Sequence, residues 1–119
     1  IRLVDVSVHV PHLLDLEIAQ TLRRYVRTGS LPAARGKLAL EHLRQLDFVR
    51  HRHDLLLSRI WRLRHNLTAY DAVYLALAEV LGATLLTADR ALAKVPTRVP
   101  IDLLEKDSSS FPLSPRHTR

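Results

Sequence analysis

Asn66-Leu67-Thr68-Ala69-Tyr70-Asp71-Ala72-Val73-Tyr74-Leu75-Ala76-Leu77-Ala78-Glu79, followed by Leu85-Leu86-Thr87-Ala88-Asp89-Arg90-Ala91-Leu92, is the stretch on which the reading of the fold turns. From Thr68 to Leu81 the residues are apolar at nearly every position, which predicts an apolar helix closed at Gly82. Ala83-Thr84-Leu85-Leu86-Thr87 reads as a short buried strand and Asp89 to Lys94 as a helical turn. One carboxylate, Asp71, stands at the start of the helix and a second, Asp89, just past the strand, where two acids could share a metal ion. Glu17, upstream, is a third candidate ligand.

Outward from this stretch, Val4, Val6, Val8 and Val10 alternate with Asp5, Ser7 and His9, a period of two that predicts a half-buried strand ended by Pro11. From His12 to about Thr28, Leu14, Ile18, Leu22, Tyr25 and Val26 recur at helical steps, while Arg23, Arg24 and Arg27 fill the other side. Gly29 is the expected stop. Pro32 suits the first turn of a second helix that runs through Leu38, Leu40, Leu43 and Leu46. Asp47 to His53 fits either a short strand or a loop, and Leu55 to Arg64 a third helix. Arg98 to Leu104 reads as a last strand that Pro100 pushes toward an edge. Strands alternating with helices predict parallel pairing and an α/β sandwich, in one domain over residues 1–104. The stretch 105–119 is rich in Ser and Pro and reads as a disordered tail.

Composition narrows the classes. The chain has 119 residues, 47% of them hydrophobic, enough for a folded core. It contains no cysteine, which removes disulfide frameworks and thiolate metal sites. No apolar run reaches the length of a membrane span, and Ile1-Arg2-Leu3-Val4-Asp5 lacks a signal-peptide core, so the chain reads as soluble and cytoplasmic. With 18 Lys and Arg against 12 Asp and Glu, the net charge of +6 favours a polyanionic partner.

Each acid also has a purely structural reading. Thr68-x-x-Asp71 matches a capping box, and Asp71 suits the positive end of the helix dipole. Asp89 is a natural N-cap at a strand-to-helix turn, although ligands of open α/β sheets bind beyond the carboxyl ends of strands, where this loop would lie. Glu17 borders the apolar face of the first helix, the usual place of a solvated acid. Three carboxylates brought together would repel and raise each other's pKa, for which a divalent metal is the natural compensation. His51-x-His53 lacks a third ligand at recognisable spacing and is read as a surface loop. No Ser sits in a nucleophile elbow, and Gly29, Gly36 and Gly82 form no phosphate-cradling loop.

Taken in order, Pro11-His12-Leu13-Leu14-Asp15-Leu16-Glu17-Ile18-Ala19 with Leu22-Arg23-Arg24, then Asn66 to Ala78, then Leu85 to Leu92, resemble the PIN-domain ribonuclease toxins of VapBC toxin–antitoxin systems. The resemblance runs from about Val8 to Leu104. It implies a parallel sheet flanked by helices in a three-layer sandwich, and RNA hydrolysis with Mg²⁺ or Mn²⁺ held by Glu17, Asp71 and Asp89. Thr68 and Thr87 would add hydrogen bonds behind these ligands. It further implies a homodimer held inactive by a VapB-like antitoxin. The family's first strand carries an acid in a pattern like Val-Asp-x-Ser, and Val4-Asp5-Val6-Ser7 matches those letters. Asp5, however, lies only 12 residues before Glu17, too close for the helix that intervenes in the family. Ile1 to Val10 is therefore read as the second strand region, with Asp5 a bystander and the first strand, helix and acid not in this chain. Two other readings stay open, a catalytically inactive PIN-like module that binds an antitoxin and a generic basic RNA-binding domain.

Overall fold

The computed structural model of the protein describes residues 7–104. Asp5, the Val4–Val6 part of the alternation and the Ser- and Pro-rich tail lie outside the described residues. The chain divides into two compact units, Ile1–Leu77 and Ala78–Arg119.

In the first unit, β1 (Val8–Pro11) pairs in parallel with β2 (Phe48–His51), Val8 opposite Phe48 and Pro11 opposite His51. The stretch that sequence left open between strand and loop is thus a strand. Pro11 does not precede the end of β1 but forms it, and the next N–H, of His12, donates to the His51 carbonyl at 3.0 Å. Because the N–H of the next residue makes the bond to β2, the missing proline donor costs that ladder nothing.

Helix α1 (Leu13–Arg27) follows and turns Leu14, Ile18, Leu22 and Val26 inward, while Leu16, Gln20, Arg23, Arg24 and Arg27 stay exposed. Tyr25, expected on the apolar face, is 46% exposed, with the Arg24 guanidinium 5.9 Å from its ring centroid. The ring lies one position past the buried stripe, and its backbone carbonyl is the one that closes the helix end by accepting from Ser30 and Leu31. That closure needs Gly29 at φ +84°, where a side chain would strain the backbone. Pro32 precedes α2 (Ala33–Gln45), which packs on α1. A Cβ at Gly36 would stand 3.2 Å from Val26 Cγ2, so the glycine permits that close approach.

The third helical segment is a 3₁₀ turn over Asp54–Leu56 leading into α3 (Leu57–Arg62). Then comes α4 (Ala69–Leu81), apolar on nearly every side and correspondingly buried, with Ala72, Leu75 and Ala76 fully enclosed. Leu56, Val73, Ala76 and Leu77 form the core of this unit, packed by Leu13, Ile60 and Tyr74.

In the second unit, β3 (Leu85–Thr87) pairs in parallel with β4 (Ile101–Leu103), and the short helix α5 (Arg90–Ala93) packs on both. Ala78, Leu85, Leu92 and Val99 are its buried side chains among the described residues. Parallel pairing is therefore as expected, but the described residues hold two separate two-stranded sheets, with no strand hydrogen-bonded to both pairs. Among the described residues no helix is long and apolar enough to cross a membrane.

One ion pair ties α1 to β2. Arg50 donates from Nε to Asp15 Oδ2 at 2.7 Å and from NH2 to Oδ1 at 2.9 Å, a bidentate clasp on a half-buried surface. Its hydrogen bonds hold the Asp15 carboxyl below the usual carboxylate range. A depressed folded-state pKa contributes stability above the unfolded value of about 3.9 and loses it as pH falls further. Asp15→Asn is expected to lower the melting midpoint by roughly 2–4 °C at pH 7 and by less at about pH 3, as thermal unfolding at the two pH values will show. Leu75→Ala, which empties a fully enclosed site, is expected to cost about 3 kcal/mol in urea unfolding.

Candidate functional site

Glu17 lies in the second turn of α1, half-buried at the border between the helix's inner and outer faces. Its backbone carbonyl accepts from Thr21 Oγ1 at 3.0 Å, and its carboxylate Oε1 accepts from the Tyr74 hydroxyl at 2.5 Å. Tyr74 sits on α4 one turn beyond Asp71, so that Asp71 and Tyr74 share a face of that helix. Burial pushes the Tyr74 hydroxyl well above the usual phenol range; the bond to Glu17 adds to this, as do the negative charges of Glu17, Asp71 and Asp15. Three carboxylates from two helices thus act on one protonated hydroxyl.

Asp71 is half-buried in the first turn of α4. The capping expectation is met in one direction, since its backbone N–H donates to Thr68 Oγ1 at 3.2 Å. Its carboxylate makes no hydrogen bond or ion pair among the described residues. Glu17 and Asp71 therefore differ from Asp15, which Arg50 neutralises, and from Asp54, which Arg52 clasps at 2.6 and 3.0 Å.

Asp89 belongs to the second unit and does what its sequence context predicts there. Its Oδ1 accepts from the N–H groups of Ala91 at 2.9 Å and Leu92 at 3.3 Å, capping α5. Its own N–H donates to Thr87 Oγ1 at 3.0 Å, which holds the turn after β3. The side chain is exposed, and its other oxygen has no bond among the described residues.

The donor chemistry fits a hard divalent cation. Glu17, Asp71 and Asp89 offer only carboxylate oxygen, as Mg²⁺ and Mn²⁺ prefer, and among the described residues Glu17 and Asp71 have no arginine or lysine to neutralise them. Among the described residues no group of three His, Asp or Glu side chains could hold a metal ion by itself. Magnesium does not require one, because it keeps several waters and takes one or two carboxylates.

Sequence reasoning missed two residues of this neighbourhood. Tyr74 carried a signal in its three-residue step from Asp71, but its partner is 57 positions away. Arg50 carried none. The histidines also rearrange: His51 lies on β2 and its Nε2 is 2.8 Å from Nδ1 of His9 on β1, whereas His53 lines a separate, largely apolar cavity. His9 and His51 point to the same sheet face from diagonal register positions, so pairing across strands replaces the expected loop.

The residues 2–97 match the PIN domain family model. Over 85 residues, 71% of this chain and 67% of the relative, the sequence is 51% identical to Ribonuclease VapC9 of Mycobacterium tuberculosis. It is 43% identical over 89 residues to Ribonuclease VapC1 of the same organism, covering 74% of this chain and 67% of the relative. To Ribonuclease VapC3 of Pyrobaculum aerophilum it is 38% identical over 90 residues, 70% of this chain and 69% of the relative.

The raised Tyr74 pKa has a consequence for alkaline stability. Below about pH 10 the tyrosine is protonated in both folded and unfolded chains, and the full stability is present. Above it the unfolded chain ionises this group while the folded one resists, so stability falls as pH rises. Tyr74→Phe is expected to flatten that fall, which urea unfolding between about pH 8 and 11 will measure.

Proposed function

Since the chain belongs to the PIN-domain family, in its VapC ribonuclease branch, we propose that it hydrolyses RNA endonucleolytically as the toxin of a VapBC-type pair, with Glu17, Asp71 and Asp89 as the ligands of Mg²⁺ or Mn²⁺. The observation that carries the reading is the hydrogen bond from Tyr74 to Glu17, one helical turn from Asp71; among the described residues neither carboxylate has a basic partner. When bound, a divalent cation neutralises charge on the scissile phosphate and lowers the pKa of a water molecule.

The chain's own residues supply the rest. Tyr74 holds one oxygen of Glu17 and leaves the other for the cation. Thr68 fixes the first turn of α4 and with it the direction of Asp71. Thr87 holds the turn that carries Asp89, a supporting bond of the kind whose loss weakens metal sites 10–100-fold in general. Arg23, Arg24 and Arg27, exposed along α1, steer the polyanion toward the acids. Residues 1–104 form the nuclease domain in this reading, which acts in the cytoplasm as a homodimer under a VapB-like antitoxin. Exposed Leu55, Leu57 and Trp61 supply apolar surface for such partners.

The capping bonds of Asp89 and the lack of a three-acid group among the described residues favour a second reading, a catalytically inactive PIN-like module that binds the antitoxin alone. Metal dependence separates the two. Purified chain is expected to cut RNA with Mn²⁺ or Mg²⁺ and to stop in chelator, and Asp71→Asn is expected to lose at least 100-fold. An Asp71→Asn variant as active as its parent would overturn the site. Asp89→Asn is sharper, because Asn caps a helix about as well as Asp: unchanged thermal stability with lost cleavage supports the ligand role, whereas unchanged cleavage leaves Asp89 as a cap only.

A further inference from the structure

Within the first unit an open groove of about 400 Å³ runs beside Glu17, and its lining is mixed. Leu13 and Leu16 form an apolar wall, Gln20 contributes an amide, Thr21 a hydroxyl and Tyr70 an aromatic ring. Tyr70 is 64% exposed and Leu16 70% exposed, although each is an apolar body. Tyr70 directly precedes Asp71, so its ring and that carboxylate leave the same first turn of α4.

Each of these groups has a counterpart on an unpaired nucleotide. An accessible ring offers its face to any base that is not already stacked in a duplex. The Gln20 amide offers donor and acceptor together, the complement of a base edge. Thr21 already gives its proton to the Glu17 carbonyl, so toward a ligand it can only accept. Along α1 the exposed stripe continues from Gln20 to Arg24 and Arg27. At 1.5 Å per residue Arg24 lies roughly 10 Å along the helix from Glu17, within reach of phosphates that neighbour the cleaved one. An apolar peptide side chain fits worse here, because it would bury the Gln20 amide and the second oxygen of Glu17 without partners. The neighbouring cavity of Leu57, Ile60 and Val73 is the more apolar surface.

We infer that the groove is a nucleobase subsite: Tyr70 stacks an unpaired RNA base beside the scissile phosphate, Gln20 bonds the edge of that base, and Arg24 and Arg27 carry the adjoining backbone. The inference rests on the ribonuclease reading above.

The test uses the full chain with Mn²⁺ on short oligoribonucleotides whose cleaved bond has been mapped with the parent. Each substrate carries either a normal or an abasic nucleotide beside that bond. Tyr70→Ala is expected to raise KM about ten-fold or more on the normal substrate with little change in kcat, and to match the parent on the abasic one. Tyr70→Phe, which retains the ring, is expected to recover most of that loss, and Gln20→Ala to change which base is preferred. A Tyr70→Ala variant with the parent's KM, or with an equal loss on both substrates, overturns the subsite. Should the parent cut no RNA, the ribonuclease reading fails on its own. Quenching of a 2-aminopurine base in a bound oligonucleotide then decides the subsite: quenching lost in Tyr70→Ala upholds it, and no quenching by the parent overturns it.

Discussion

The burial of α4 is the constraint on which the first unit depends. A helix that is apolar all round must be enclosed, and from Ala72 to Ala78 only Tyr74 keeps any notable exposure. Small residues at 72 and 76 let neighbours approach, and Leu75 fills the space between. Partial enclosure imposes a condition on Tyr74, because a hydroxyl shielded from water without a partner is costly. Glu17 meets that condition from α1. One hydrogen bond therefore satisfies a half-buried donor and ties α1 to α4, with Glu17 at the groove that Tyr70 also lines.

The acids are sorted by their company. Asp15 and Asp54 each have an arginine in bidentate contact, and the hydrogen bonds of those arginines hold both carboxyls below the usual range. These are structural carboxylates, with their charge spent on the fold. Glu17 and Asp71 stand in the same negative neighbourhood and have no such partner among the described residues. Leaving charge uncompensated lowers stability, and sites that bind cations commonly carry that cost. Asp89 caps α5 through one oxygen, and its other oxygen makes no bond among the described residues.

The basic residues complete the arrangement. A net charge of +6 would repel a cation and attract RNA, and the chain separates these effects in space. Arg23, Arg24 and Arg27 occupy the C-terminal half of α1, while Glu17 occupies its N-terminal half. In the proposed reading, a polyanion drawn along the arginines reaches the acids with one of its phosphates.

The sequence by itself determined whatever is local in the chain. The helices α1, α2 and α4, the stops at Gly29 and Gly82, the cap by Asp89, the Thr68 bond to Asp71 and the parallel sense of pairing all follow from spacings of a few residues, where backbone and side-chain preferences act directly. The order of the three motifs was equally legible and carried the family with it. Tertiary structure alone decided the partners. Tyr74 and Glu17 are 57 positions apart, His9 and His51 42, and Asp15 and Arg50 35. It turned Phe48–His51 into a strand because β1 was there to pair with it, and it left Tyr25 outside while the adjacent Val26 faces inward. Periodicity says which face of an element is buried; only packing decides which side chain of another element meets it there, and the site is made of such meetings.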